Sequence, residues 1–130
     1  MNIGLLEDNL AIADYLSIAL EMAGHNVHTY TYGSSLLEKL GSSMVGGLHA
    51  SLPYDLIIVD LLLPGDISGL EAIQQIQRAI PHERLPIIII SAGSHDELEQ
   101  ARAILPDVPL LRKPFRTQAL LQLISDLESR

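Results

Sequence analysis

Apolar and polar residues follow two different rhythms along this chain. Short runs rich in branched residues occur at 3–6, 27–30, 56–59, 87–90 and 110–111, and between them lie longer stretches whose apolar positions recur with helical period. Strand-like runs alternating with helical segments predict repeated βα units around a parallel sheet. Five such units can be read. The run LIIV at 56–59 is apolar without interruption, which predicts a strand buried on both faces.

The first helix is predicted over 10–23, with Leu16, Ala19, Leu20 and Ala23 on one face and Gly24 as its C-cap. Gly33, Ser34 and Ser35 lead into a second helix from about Leu36, capped by a serine. Further helices are predicted over 70–79, from near Asp96, and over 117–127. The stretch 41–53, GSSMVGGLHASLP, breaks the rhythm and is predicted to be an irregular loop. No internal repeat, linker or shift in composition divides the chain, so residues 1–130 read as one domain.

Composition narrows the class. A chain of 130 residues, 48% of them hydrophobic, is long enough to bury about two-thirds of its unfolded surface. The formal charge of -8, from eight basic against sixteen acidic residues, offers no basic face and excludes direct nucleic-acid binding as the expected activity. With no cysteine there is neither a disulfide nor a thiolate metal site. The N-terminus does not read as a signal peptide and no apolar run reaches spanning length, so a cytoplasmic protein without a membrane partner is expected.

The candidate chemistry lies at the carboxyl ends of the apolar runs. Glu7 and Asp8 follow the first, Asp60 the third, Ser91 the fourth and Lys113 the fifth. In an open parallel α/β sheet ligands bind beyond those ends, so residues distant in sequence converge there. Carboxylates so placed repel one another, and a hard divalent cation in an all-oxygen site offsets the repulsion, with magnesium the natural ion. Asp60, alone at the end of a central strand, is the candidate nucleophile for phosphoryl transfer through an acyl phosphate. Glu7 and Asp8 are candidate cation ligands with Asp60, and the backbone carbonyl of Leu62 is a further oxygen donor. Ser91 and Lys113 are candidate donors to phosphate oxygens, Lys113 also pairing with Asp60 before phosphorylation. Taken singly, each is more often a solvated loop residue or a turn serine; their joint occurrence at successive strand ends carries the reading. Of the histidines, His25 and His28 fall on opposite faces of a strand, and His49, His82 and His95 are scattered; all five read as structural or surface residues. The turn EDN lacks the glycines of a dinucleotide site.

The segments LLEDN, IIVDLLLPG, IIIISAG and LLRKPF resemble the receiver domain of two-component response regulators, and the resemblance runs along essentially the whole chain. It implies a flavodoxin-like, CheY-like α/β/α sandwich whose five parallel strands stand in the order 2-1-3-4-5. A cis peptide between Lys113 and Pro114 and magnesium at the acidic site are also implied. It further implies a phosphorelay role, in which Asp60 accepts phosphate from a histidine kinase or histidine phosphotransfer protein. The modified chain would then act on a downstream protein or a covalently attached output domain, with a phosphorylation-dependent homodimer among the outputs. Catalysis would extend only to its own phosphorylation and dephosphorylation.

Three features depart from the family pattern. Leu110 stands where many receivers carry an aromatic switch residue, PGDISG is one residue longer than the commonest loop, and 41–53 reads as inserted. Two alternatives follow: a receiver-like module that acts without phosphorylation, and an aspartate-based phosphatase of the haloacid dehalogenase type. The second would need an acid two positions after Asp60, where this chain has Leu62.

Overall fold

The computed structural model describes residues 1–45 and 51–129. Among them, strands β1 (Asn2–Leu6), β2 (Asn26–Tyr30), β3 (Leu56–Asp60), β4 (Ile87–Ser91) and β5 (Leu110–Arg112) alternate with helices. The helices are α1 (Leu10–Met22), α2 (Gly33–Val45), α3 (Gly69–Ala79), α4 (His95–Ile104) and α5 (Thr117–Glu128). The strands form one parallel sheet in the order β2-β1-β3-β4-β5. The peptide between Lys113 and Pro114 is cis.

Period-two alternation explains why the central strands are apolar throughout. Ile57 and Val59 of β3 pack with Leu36, Leu40, Ala72, Ile73, Ile76, Leu98 and Ala101, which belong to α2, α3 and α4. Leu56 and Ile58 face the other way, onto Ala13, Leu16 and Leu20 of α1 and Leu120 and Ile124 of α5. The sheet therefore has a core on each side, which removes any polar face from β3 and β4.

Helix boundaries follow capping chemistry more closely than periodicity. Asn9 caps α1, its side chain accepting the Ile12 amide at 3.1 Å. Ser94 and Glu97 form a reciprocal capping box that starts α4 one residue before the expected Asp96. Helix α1 stops at Met22 because Gly24 takes φ +97, a left-handed value that suits glycine. Its buried face is Ala13, Leu16 and Leu20; Ala23, expected on that face, is the exposed C-cap.

Two expectations for the second unit change. Helix α2 begins at Gly33, so Ser34 and Ser35 lie in its first turn rather than capping a later start, and the Ser35 amide donates to the Tyr32 carbonyl at 3.1 Å. The expected loop at 41–53 begins as helix, since α2 runs on through Val45. A helix already docked through Leu36 and Leu40 tolerates the roughly 1 kcal/mol cost of an internal glycine. Residues 46–50 of that expected loop, with His49, lie outside the described residues.

The start of α3 sits directly beneath the end of β3. A Cβ on Gly69 would stand 2.3 Å from the Asp60 carbonyl oxygen and 2.8 Å from the Leu61 Cα and carbonyl oxygen. Backbone atoms cannot rotate away as a side chain can, so Gly69→Ala must push α3 off the strand end. It is expected to lower the unfolding free energy by about 1–3 kcal/mol, measured by urea denaturation. An unchanged midpoint would show that the helix start yields freely.

Candidate functional site

Parallel register carries the expected residues to one edge of the sheet. Leu6 pairs with Val59, Asp60 with Ile90 and Ser91 with Arg112, so Glu7, Asp60, Ser91 and Lys113 all emerge at the carboxyl ends. Glu7, Asp60 and Ser91 are 1%, 4% and 0% exposed, whereas Asp8 is open to solvent. Burial of two neighbouring carboxylates is unfavourable unless a cation compensates.

Lys113 supplies that compensation inside the protein. Its Nζ donates to Glu7 Oε1 at 2.5 Å and to Asp60 Oδ2 at 2.9 Å. The expected pairing with Asp60 is present, and the bond to Glu7 is an additional one that strand position alone did not indicate. The other carboxylate oxygens take backbone donors. Asp60 Oδ1 accepts the Leu62 amide at 3.0 Å, and Glu7 Oε2 accepts the Asn9 amide at 3.2 Å. Asn9 thus caps α1 with its side chain and fixes Glu7 with its backbone. Its signal in the sequence was an Asn standing just before a helical pattern.

Ser91 joins the site through its backbone as well as its position. Its carbonyl accepts the Lys113 amide at 2.7 Å, while its hydroxyl accepts the Gly93 amide at 3.0 Å. Its hydroxyl hydrogen is still available for donation. The loop after Asp60 turns at Gly65, whose φ is +96 and whose Cβ position lies 3.3 Å from the Tyr32 ring. Leu110, where the resemblance to receivers would lead one to expect an aromatic, is half-buried and packs against the core shared by α2, α3 and α4.

The donor set fits a divalent cation. Glu7, Asp8 and Asp60 each offer an oxygen within 4.8 Å of the others. When all three are ionised, the single ammonium of Lys113 leaves two negative charges uncompensated, and an all-oxygen set of this charge suits a hard ion. Among the described residues the histidines lie elsewhere. His25 Nδ1 meets the N-terminal amine at 3.0 Å, His28 Nδ1 meets the Tyr54 hydroxyl at 3.3 Å, His82 pairs loosely with Glu83 at 3.6 Å on the surface, and exposed His95 opens α4.

Crowding is legible in the protonation of the site. Burial pushes the Glu7 carboxyl up from 4.5 to about 7; Lys113 pulls it down and the neighbouring Asp60 pushes it up again. For Lys113, burial opposes the charge, but Glu7 and Asp60 outweigh it and raise the ammonium's pKa. Between pH 4.5 and about 7 the folded chain holds a proton on Glu7 that the unfolded chain has released. The stability this proton contributes is therefore complete below 4.5 and lost as pH rises through about 7. In EDTA, the unfolding free energy of Glu7→Gln relative to wild type is expected to increase across that window by on the order of 1–3 kcal/mol. A difference that stays flat with pH would contradict the raised value.

Comparison with known proteins agrees with this geometry. Residues 3–125 match the model of the response regulator receiver domain. The chain is 32% identical over 120 residues to the phosphate regulon transcriptional regulatory protein PhoB of Rhizobium meliloti, covering 92% of this chain and 48% of that protein. It is 25% identical over 126 residues to the transcriptional regulatory protein CpxR homolog of Haemophilus influenzae, covering 97% and 49% respectively. The chain thus spans about half the length of these curated relatives. In fold it is similar to a putative response regulator of Chloroflexus aurantiacus, with a TM-score of 0.80, 24% identity and coverage of 99% and 98% of the two chains. It is also similar to the chemotaxis protein CheY4 of Vibrio cholerae, with a TM-score of 0.77, 22% identity and 97% of each chain covered. With the family model matched over nearly the whole chain and the strand order in agreement, this protein belongs to the response regulator receiver domain family.

Proposed function

We propose that this chain is a single receiver domain over residues 1–130 that works as a phosphorylation-controlled switch in a phosphorelay, with Asp60 as its phosphoacceptor. The observation that carries the reading is the bridge from Lys113 to both Asp60 and Glu7, with Asp8 alongside, at the carboxyl edge of the sheet. An Asp60 oxygen would attack the phosphorus of a phosphohistidine on a histidine kinase or histidine phosphotransfer protein. The phosphorus–nitrogen bond breaks as the acyl phosphate bond forms, and the bond's electron pair leaves with the imidazole nitrogen, which takes up a proton. Lys113 would move from the free carboxylate of Asp60 to a phosphoryl oxygen, and the Ser91 hydroxyl would donate to another.

Magnesium held by Glu7, Asp8, Asp60 and the Leu62 backbone carbonyl would supply neutralisation of charge on the transferred group. The buried pair Glu7 and Asp60 is already oriented by Lys113 and by the Asn9 and Leu62 amides, so little rearrangement is required of the chain's own donors. Output would pass to a downstream protein or a covalently attached domain. A phosphorylation-dependent homodimer is a further route. Because Leu110 offers no ring to swing, the signal would run from Ser91 through the following loop to α4, whose capping box begins three residues later at Ser94.

No helix among the described residues is long and apolar enough to cross a membrane. We place the domain in the cytoplasm, where its kinase's phosphorylated face would be, with no direct nucleic-acid contact. The phosphatase alternative gains no support, because Leu62 has no acid/base group and its amide is engaged by Asp60. The phosphorylation-independent alternative is not favoured, since the three acids, the serine and the lysine are all present at one edge.

Incubation with acetyl phosphate and magnesium is expected to give one labile phosphoryl adduct by intact-mass spectrometry. Asp60→Asn, or removal of magnesium by chelation, is expected to abolish it. Absence of an adduct under conditions that label another receiver domain would overturn the phosphoacceptor reading.

A further inference from the structure

A second polar cluster lies on the face of β1 that packs towards α2. Tyr54, two residues before β3, is the largest of the fully buried side chains at 2% exposure. Its ring lies over Gly4 of β1, where a Cβ would stand 3.1 Å from Tyr54 Cδ2 and 2.9 Å from Ile57 Cδ1. The Tyr54 hydroxyl is hydrogen-bonded to the Tyr30 hydroxyl and lies 3.3 Å from His28 Nδ1. The rings meet edge to face, with centroids 6.2 Å apart for Tyr30 and 5.8 Å for His28. Burial, reinforced by Tyr30, pushes the Tyr54 phenol's pKa upward, so it stays protonated and able to donate.

This arrangement spans three strands. Among the described residues β2 is an edge strand paired with β1 alone, and Tyr30 and His28 stand in register with Leu6 and Gly4. Tyr54 therefore reaches from the entrance of β3, across the glycine of β1, to the edge strand beyond. Tyr30 is the last residue of β2, and its carbonyl accepts the Glu7 amide at 3.0 Å. The clasp fixes the edge-strand residue from which the first acid of the site hangs.

We propose that Tyr54, Tyr30 and His28 are positioning residues for the acid pair Glu7 and Asp8, holding the end of β2 so that these carboxylates stay gathered for a divalent cation against their mutual repulsion. The inference rests on the reading of Glu7, Asp8 and Asp60 as a cation site. A cluster that served packing alone would contribute to stability without reaching the cation. A cluster that positions Glu7 must contribute to cation affinity as well.

Calorimetric titration with magnesium separates these roles, using wild type, Tyr54→Phe, Tyr30→Phe and the double variant. Phenylalanine keeps the Tyr54 ring over Gly4 and the Tyr30 ring edge-on to it, and removes only the hydroxyls, so folding is retained, as urea denaturation would verify. Loss of one buried hydrogen bond is expected to weaken magnesium binding about three-fold in Tyr54→Phe. Tyr30→Phe should show the same direction, and the double variant should bind about as weakly as either single variant, a non-additivity that marks one shared bond. Hydrogen exchange at the Glu7 amide should quicken in Tyr54→Phe. Unchanged affinity in all three variants, with wild type binding normally, would overturn the positioning role and leave the cation site standing. Failure of wild type to bind magnesium would overturn both.

Discussion

The site is organised around a half-buried ammonium and the buried carboxyl groups it holds together. Glu7 and Asp60 leave water at the ends of β1 and β3, and Lys113, arriving from beyond β5, places one ammonium between them. Each ion alone would be expensive to bury; together, and with the Asn9 and Leu62 amides on the remaining oxygens, their polar groups are satisfied. The pairing also ties one half of the sheet to the other. β1 and β5 do not touch as strands, and the lysine links them over the top of β3 and β4.

That bridge depends on tight backbone packing underneath. Parallel register brings the strand ends to a common level, and both faces of the sheet beneath them are filled, with β3 sending alternate residues into two separate cores. Gly69 lets α3 start against the Asp60 carbonyl, and Gly4 admits the Tyr54 ring above β1. In both places the missing side chain is the feature that matters. A methyl group there would meet atoms that also fix the position of a site residue or of its neighbour in the ladder.

Local chemistry decided the helix starts more finely than apolar periodicity did. Asn9, Ser68 and Ser94 each accept an amide from the first turn that follows. Periodicity marks where a helix is buried, and caps mark where its amides need partners. The expected loop at 41–53 shows the limit of reading composition locally. Glycine and serine lower helix propensity by amounts that packing elsewhere on the same helix outweighs, so α2 continues to Val45.

The sequence alone determined the alternation of strands and helices, the two-sided burial of β3, and the identity of Glu7, Asp8, Asp60, Ser91 and Lys113 as residues standing at strand ends. These follow from side-chain period and from chain order, which are local properties. The strand order came from resemblance to a family, because period alone says nothing of which strands are neighbours. Only the tertiary structure decided that Lys113 bridges Glu7 as well as Asp60, that the Ser91 hydroxyl turns to Gly93, and that Tyr54 reaches across β1 to Tyr30. Those contacts join residues up to 106 positions apart, and their geometry is set by the register and packing of strands between them.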